Sequence, residues 1–106
     1  KLVLELHAST KDGALSKDSF SVRIDGIEKT LRGGDQVVLG PGESICLPTG
    51  LYHRFWGEGK TLVGEVSMAN DDATDNRFLE SIGRFPAIDE DAEPRHLLVT
   101  DYPRFF

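Results

Sequence analysis

The chain has 106 residues, enough for one domain around a single core. Eighteen acidic against twelve basic residues give a net charge of −6, which excludes nucleic acid or an anionic membrane as the main partner, since each needs a basic footprint. An apolar fraction of 39% is that of an ordinary globular protein, no apolar run reaches the length of a membrane span, and the one cysteine, Cys46, excludes an intrachain disulfide and suits a reducing cytoplasm.

Leu2, Leu4 and Leu6 alternate with Val3, Glu5 and His7, which predicts a strand over residues 1–7 with one strongly apolar face. A strand that opens a chain without Met reads as part of a larger protein or an excised domain, because an uncovered sheet edge is a liability. His7 falls on the face opposite the leucines and reads as a strand-end histidine near solvent. A loop is expected over 8–18, then a strand over 19–25 with Phe20, Val22 and Ile24 on one face. Asp25-Gly26 is a hairpin signal leading into a strand over 27–31.

The cluster from Arg32 to Asp35 turns the chain again. Its two glycines are not a phosphate loop, since no Lys-Ser/Thr follows and a strand rather than a helix comes next. Further strands are predicted over 36–39, 43–47, 51–56 and 61–68, with turns at Gly40-Pro41-Gly42, Pro48-Thr49-Gly50 and Gly57-Glu58-Gly59. Cys46 lies on one of these strands as a small buried filler. Short strands at this spacing, with Gly and Pro between them, give an all-β sandwich or barrel, and a jelly roll is the expected architecture.

Beyond Met68 the chain changes character. Residues 70–77 are polar and irregular, Phe78 to Ile82 form a short helical turn ended by Arg84-Phe85-Pro86, and 88–94 make a solvated acidic loop. A last strand is expected over 96–100, then an aromatic tail of Tyr102, Phe105 and Phe106 that packs on a neighbour or marks the end of a cut piece.

The chemistry collects around Leu39–Gly57. Pro48 fixes φ at the entry to a tight turn, and Gly50 can take the positive φ such a turn needs. On the following strand Leu51, His53 and Phe55 share one face, and Tyr52, Arg54 and Trp56 share the other. An imidazole between two large apolar neighbours on an inward face is either hydrogen-bonded filler or a ligand. Glu65, in the middle of the strand predicted over 61–68, either points outward and is ordinary or points inward beside His53 and is functional. Glu5 faces the same choice with weaker support. Asp71, Asp72 and Asp75 lack the spacing of a calcium loop and read as residues that bond their own backbone in turns. The sequence offers no Ser-His-Asp or Cys-His arrangement and no zinc-type Cys/His cluster.

Gly42, Pro48, Gly50 and His53 resemble the second sequence motif of the cupins, small jelly-roll barrels whose histidine on this strand binds a divalent metal; Gly57 stands where that motif has Asn. Taken with Val63-Gly64-Glu65-Val66-Ser67, Asn70-Asp71-Asp72, Asp75-Asn76, Phe78 and Arg84-Phe85, the whole string is similar to the bacterial D-lyxose ketol-isomerases, over nearly the full chain.

The resemblance implies a cupin-type barrel that interconverts D-lyxose with D-xylulose, and D-mannose with D-fructose. It implies His53 as a metal ligand, Mn2+ ahead of Zn2+, and Glu65 inside the barrel as proton shuttle or hydroxyl partner. Trp56 and Asp75 become the substrate-binding candidates, and a cytoplasmic homodimer the expected assembly. Trp56 stacks on the sugar ring in that reading and packs outward in the plainer one.

One feature departs from the family. Its other three ligands come from a first motif, His-x-His with Glu four residues on, just ahead of the opening strand. His7, His53 and His96 are the only histidines here, and they contain no such pair. Residues 1–106 are then either one cupin domain forming the C-terminal part of a larger isomerase subunit or a relic barrel without catalysis. Two further readings stand beside the enzyme: a barrel that binds a sugar or small metabolite without turnover, and a structural dimerisation unit.

Overall fold

Three leucines on alternate positions make β1 (Leu2–Ser9) the strand around which the first sheet is built. The structure, a computed structural model, describes residues 1–69, 71, 74–80, 91–97 and 102–105. The remaining elements are β2 (Leu15–Ser16), β3 (Ser19–Ile24), β4 (Ile27–Arg32), β5 (Asp35–Leu39), β6 (Ile45–Cys46), β7 (Tyr52–Gly57) and one helical turn, α1 (Tyr102–Phe105). The chain divides into two compact units, Lys1–Glu65 and Val66–Phe106, and every described strand belongs to the first.

All pairings are antiparallel. Residues 2–6 of β1 pair with both β5 and β7, so these two strands flank β1 on opposite edges, while β2 pairs with its far end at Ala8 and Ser9. The second sheet has the order β4-β3-β6. The chain passes between the sheets from β2 to β3, from β4 to β5, from β5 to β6 and from β6 to β7. The all-β class expected from the sequence is what the structure shows. The architecture is jelly-roll-like, and among the described residues the two sheets do not close into a barrel.

Residues directly opposite in an antiparallel pair share a face. One face of the first sheet therefore carries Leu2, Leu4 and Leu6 with Val37 and Leu39 of β5. Leu4, Leu6, Val37 and Leu39 are buried there with Val22 of the second sheet, and Phe20, Ile24, Leu31, Ile45, Leu47 and Leu51 close around them. The hairpin at Asp25-Gly26 forms as expected, with φ of 47° and 80°, the left-handed pair that a two-residue turn between twisted strands requires.

Several elements differ from the sequence expectation. β6 is two residues long rather than spanning 43–47, because Glu43 and Ser44 are committed to turns. The Glu43 carboxylate accepts from the Gly40 amide at 2.6 Å, and the Ser44 amide and hydroxyl both donate to Asp25 Oδ1. Cys46 is exposed rather than buried, since it pairs with Arg23 on the outer face of the second sheet. β2 lies inside the predicted loop over 8–18.

The strand expected over 61–68 does not form. After β7 the chain crosses the start of β1, where the Glu58 amide and the Thr61 hydroxyl both donate to the Lys1 carbonyl. Both edges of β1 are already taken there, so the segment finds no edge of β1 to pair with.

In the second unit Phe78, Leu79 and Glu80 form no helical turn, and Ile82 lies outside the described residues, as do Arg84, Phe85 and Pro86. Residues 91–94 are exposed, as expected of an acidic loop. His96 and Leu97 are not in a strand, the rest of the strand predicted over 96–100 lies outside the described residues, and the expected tail begins with α1 instead.

Leu6 has no exposed surface whereas Ile27, on the hairpin, is 67% exposed. We expect Leu6→Ala to lower stability by about 2–5 kcal/mol and Ile27→Ala by roughly 1 kcal/mol or less, measured by urea unfolding of the full-length protein.

Candidate functional site

The turn expected at Pro48-Thr49-Gly50 forms with Gly50 at φ 85°, and the Ser9 hydroxyl donates to the Gly50 carbonyl at 2.6 Å. It leads the chain into β7. His53 lies opposite Leu6 and Phe55 opposite Leu4, while Tyr52, Arg54 and Trp56 oppose His7, Glu5 and Val3. The alternation read from the sequence is therefore correct, and His53 sits on the side of the sheet that carries the core.

It is nevertheless exposed, where an inward position was expected. Among the described residues β7 is an edge strand, and none of the residues Tyr52–Gly57 joins the core cluster, whose first-sheet members come from β1 and β5. The apolar cover stops short of β7, and Phe55 beside His53 is 52% exposed for the same reason. His53 Nδ1 stands 3.4 Å from the Leu51 carbonyl oxygen. When Nδ1 carries the proton in that long contact, Nε2 holds the ring's free lone pair, the form in which imidazole binds a metal.

The opposite face of the sheet holds a polar cluster that reasoning from the sequence missed. Glu5 Oε2 accepts from Arg54 Nη2 at 2.8 Å, and Glu5 Oε1 lies 3.0 Å from His7 Nε2. The Arg54 guanidinium also stands 5.8 Å from the centre of the Trp56 ring. His7, expected near solvent, is half-buried in this cluster. The hydrogen bond from Arg54, then that from His7, holds the Glu5 carboxyl down at about 2, below the usual carboxylate range. Tyr52 extends the cluster by donating its hydroxyl to the Gly13 carbonyl at 2.6 Å. Opposite charges at Glu5 and Arg54 were visible in the sequence, but only the pairing of β1 with β7 makes them neighbours.

The other expected site residues are dispersed. Glu65 is exposed on the unpaired segment that replaces the predicted strand, so alternation does not direct it inward. Trp56 is across the sheet from His53 and 38% exposed. Asp75 lies in the second unit, where its amide donates to the Asp71 carbonyl at 3.0 Å and its carboxylate accepts from Asn76 Nδ2. Among the described residues no group of three or more His, Cys, Asp or Glu side chains is placed to hold a metal ion. One imidazole is a fragment of a donor set, and these residues do not by themselves fit a metal centre. No helix among the described residues is long and apolar enough to cross a membrane.

Comparison with known proteins gives concordant matches. A family model described as D-lyxose isomerase matches residues 1–102. A D-lyxose/D-mannose isomerase of Serratia proteamaculans is 50% identical over 98% of this chain and 47% of its own length. A D-lyxose/D-mannose isomerase of Escherichia coli O157:H7 is 44% identical, again over 98% of this chain and 47% of its own length. The chain thus spans about half the length of the curated relatives it matches.

The Glu5 cluster sets a pH dependence. A carboxyl at about 2 in the folded state and near 4.5 when unfolded binds fewer protons folded than unfolded between those values. Its contribution is therefore complete above about pH 4.5 and is lost as the pH falls toward 2. We expect the urea midpoint of Glu5→Gln to fall less steeply than that of the unsubstituted protein across this window, and to run parallel to it above pH 6.

Proposed function

The chain belongs to the D-lyxose isomerase family, and from that premise we propose that the protein carrying it interconverts D-lyxose with D-xylulose, and D-mannose with D-fructose. The observation that carries the reading is the family match over residues 1–102, which includes His53 and Glu65. Supporting it, His53 is exposed on the core-facing side of the sheet, with Nδ1 3.4 Å from the Leu51 carbonyl oxygen.

Aldose–ketose isomerisation needs a group that removes the proton from C2 and returns it to C1. We assign that proton to the Glu65 carboxylate. As it leaves C2, the C2–H electron pair forms the C1–C2 double bond and the carbonyl pair passes to the C1 oxygen, which takes up a proton to give the enediol. Return of the C2 proton to C1, with the C2 hydroxyl giving up its own proton as the carbonyl re-forms at C2, gives the ketose and matches the proton gained at the C1 oxygen. Removal and return by one carboxylate leave it in its starting state.

The cofactor in this proposal is a divalent cation, Mn2+ ahead of Zn2+, with His53 as one of its ligands. Imidazole and carboxylate donors suit both ions. Among the described residues no group of three or more His, Cys, Asp or Glu side chains completes the set around His53. Trp56 and Asp75 remain substrate-binding candidates on the family string alone, Trp56 from the face opposite His53. A cytoplasmic homodimer completes the proposal. The single cysteine suits a reducing compartment, and the exposed Leu62 and Val63 offer apolar surface for assembly.

We expect the full-length protein to form xylulose from lyxose, and saturable lyxose binding without xylulose would replace the isomerase with a binding module. His53→Ala should lower the metal content found by elemental analysis, and undiminished content overturns the ligand assignment. Glu65→Gln should cut kcat by about 10²–10⁴ with metal content retained, the usual weight of a general base.

A further inference from the structure

We propose that Glu5 is a positioning residue for His53, holding β7 through Arg54 in the one register that presents the imidazole on the core-facing side. The inference rests on the reading of His53 given above and adds the device that aims it.

The need for such a device follows from β7 itself. Register is normally set by burial of one face, and a strand without a buried face is prone to slip. None of the residues Tyr52–Gly57 joins the core cluster. The backbone ladder repeats along the strand and does not by itself choose a register. A slip of one residue turns His53 to the outer face and brings Tyr52, Arg54 and Trp56 to the core-facing side. A slip of two keeps the faces but carries Arg54 about 7 Å along β1, away from Glu5.

The side chains on the outer face do discriminate. Glu5 and Arg54 are directly opposed, and their 2.8 Å ion pair exists in the native register alone. The Glu5 side chain is only 18% exposed, and its second oxygen is occupied by His7 at 3.0 Å, so the carboxylate is held in place before Arg54 reaches it. Arg54 is steadied by the Trp56 ring, which opposes the buried Val3. Tyr52 adds a second fixed point through its bond to the Gly13 carbonyl. With Arg54 72% exposed, the pair adds little to total stability. Its effect is a difference between registers, and that is what aiming an edge strand requires.

The test uses the full-length protein with three variants: Glu5→Gln, His53→Ala, and Glu5→Arg combined with Arg54→Glu. The readouts are amide hydrogen exchange over residues 52–57 and the separate kcat and KM for D-lyxose. Glu5→Gln should speed exchange over 52–57 and lower kcat about tenfold or more, the usual weight of a group that orients a site ligand, with exchange in β3 and β4 unchanged. The charge swap should restore both readouts at least in part, which a merely structural loss would not do. Unchanged exchange and kcat in Glu5→Gln overturn the proposal, as does a folded charge swap no better than Glu5→Gln. Full activity in His53→Ala overturns the reading of His53 instead, and a rise in exchange over 52–57 in Glu5→Gln then still supports the register device.

Discussion

Two ladders of backbone hydrogen bonds meet on β1, and the first sheet depends on that double pairing. Residues 2–6 are bonded to β5 along one edge and to β7 along the other, so the side-chain directions of both neighbours are set by the alternation of β1. Leu4 and Leu6 place Val37 with them in the core and place Phe55 and His53 on the same face. Val3, Glu5 and His7 do the corresponding work behind the sheet, gathering Trp56, Arg54 and Tyr52. A single strand therefore supplies both the apolar anchor of the fold and the polar clamp on its edge.

What the sequence disclosed and what it withheld divide along the range of the interactions involved. The hairpin at Asp25-Gly26, the turn at Gly50 and the alternation along β1, β3 and β7 are local, and each formed where expected. The strand over 61–68 was not legible as unpaired, because alternation shows a face but not whether a neighbouring strand is there to pair with, and β1 is taken on both edges. The burial of Cys46 failed similarly: the run Ile45-Cys46-Leu47 does not reveal that Cys46 pairs opposite Arg23 and faces outward. For the site, the face of His53 was readable from residues 51–56, but its exposure was not. Exposure depends on how far the second sheet extends over the first.

The pairing of Glu5 with Arg54 shows the same limit from the other side. Their charges are 49 residues apart in sequence, and no spacing rule connects them. Once β1 and β7 pair, they become a directly opposed couple whose acid member is largely shielded from solvent. The low proton affinity of Glu5 follows from donors converging on one carboxylate, Arg54 first and then His7, with Gln36 adding to them.

Stability and presentation are thereby assigned to different parts of one sheet. The half formed by β1 and β5 is roofed by Val22 and the apolar residues around it, and dense packing there makes each methylene matter to folding. Among the described residues the half formed by β7 has no such roof, which leaves His53 and Phe55 open on the core-facing side. A ligand-bearing imidazole needs access, and access is incompatible with the close packing that would fix its position. The conflict is resolved across the thickness of the sheet, with the accessible ring on one side and the ion pair, the Trp56 ring and the Tyr52 hydroxyl fixing its strand from the other.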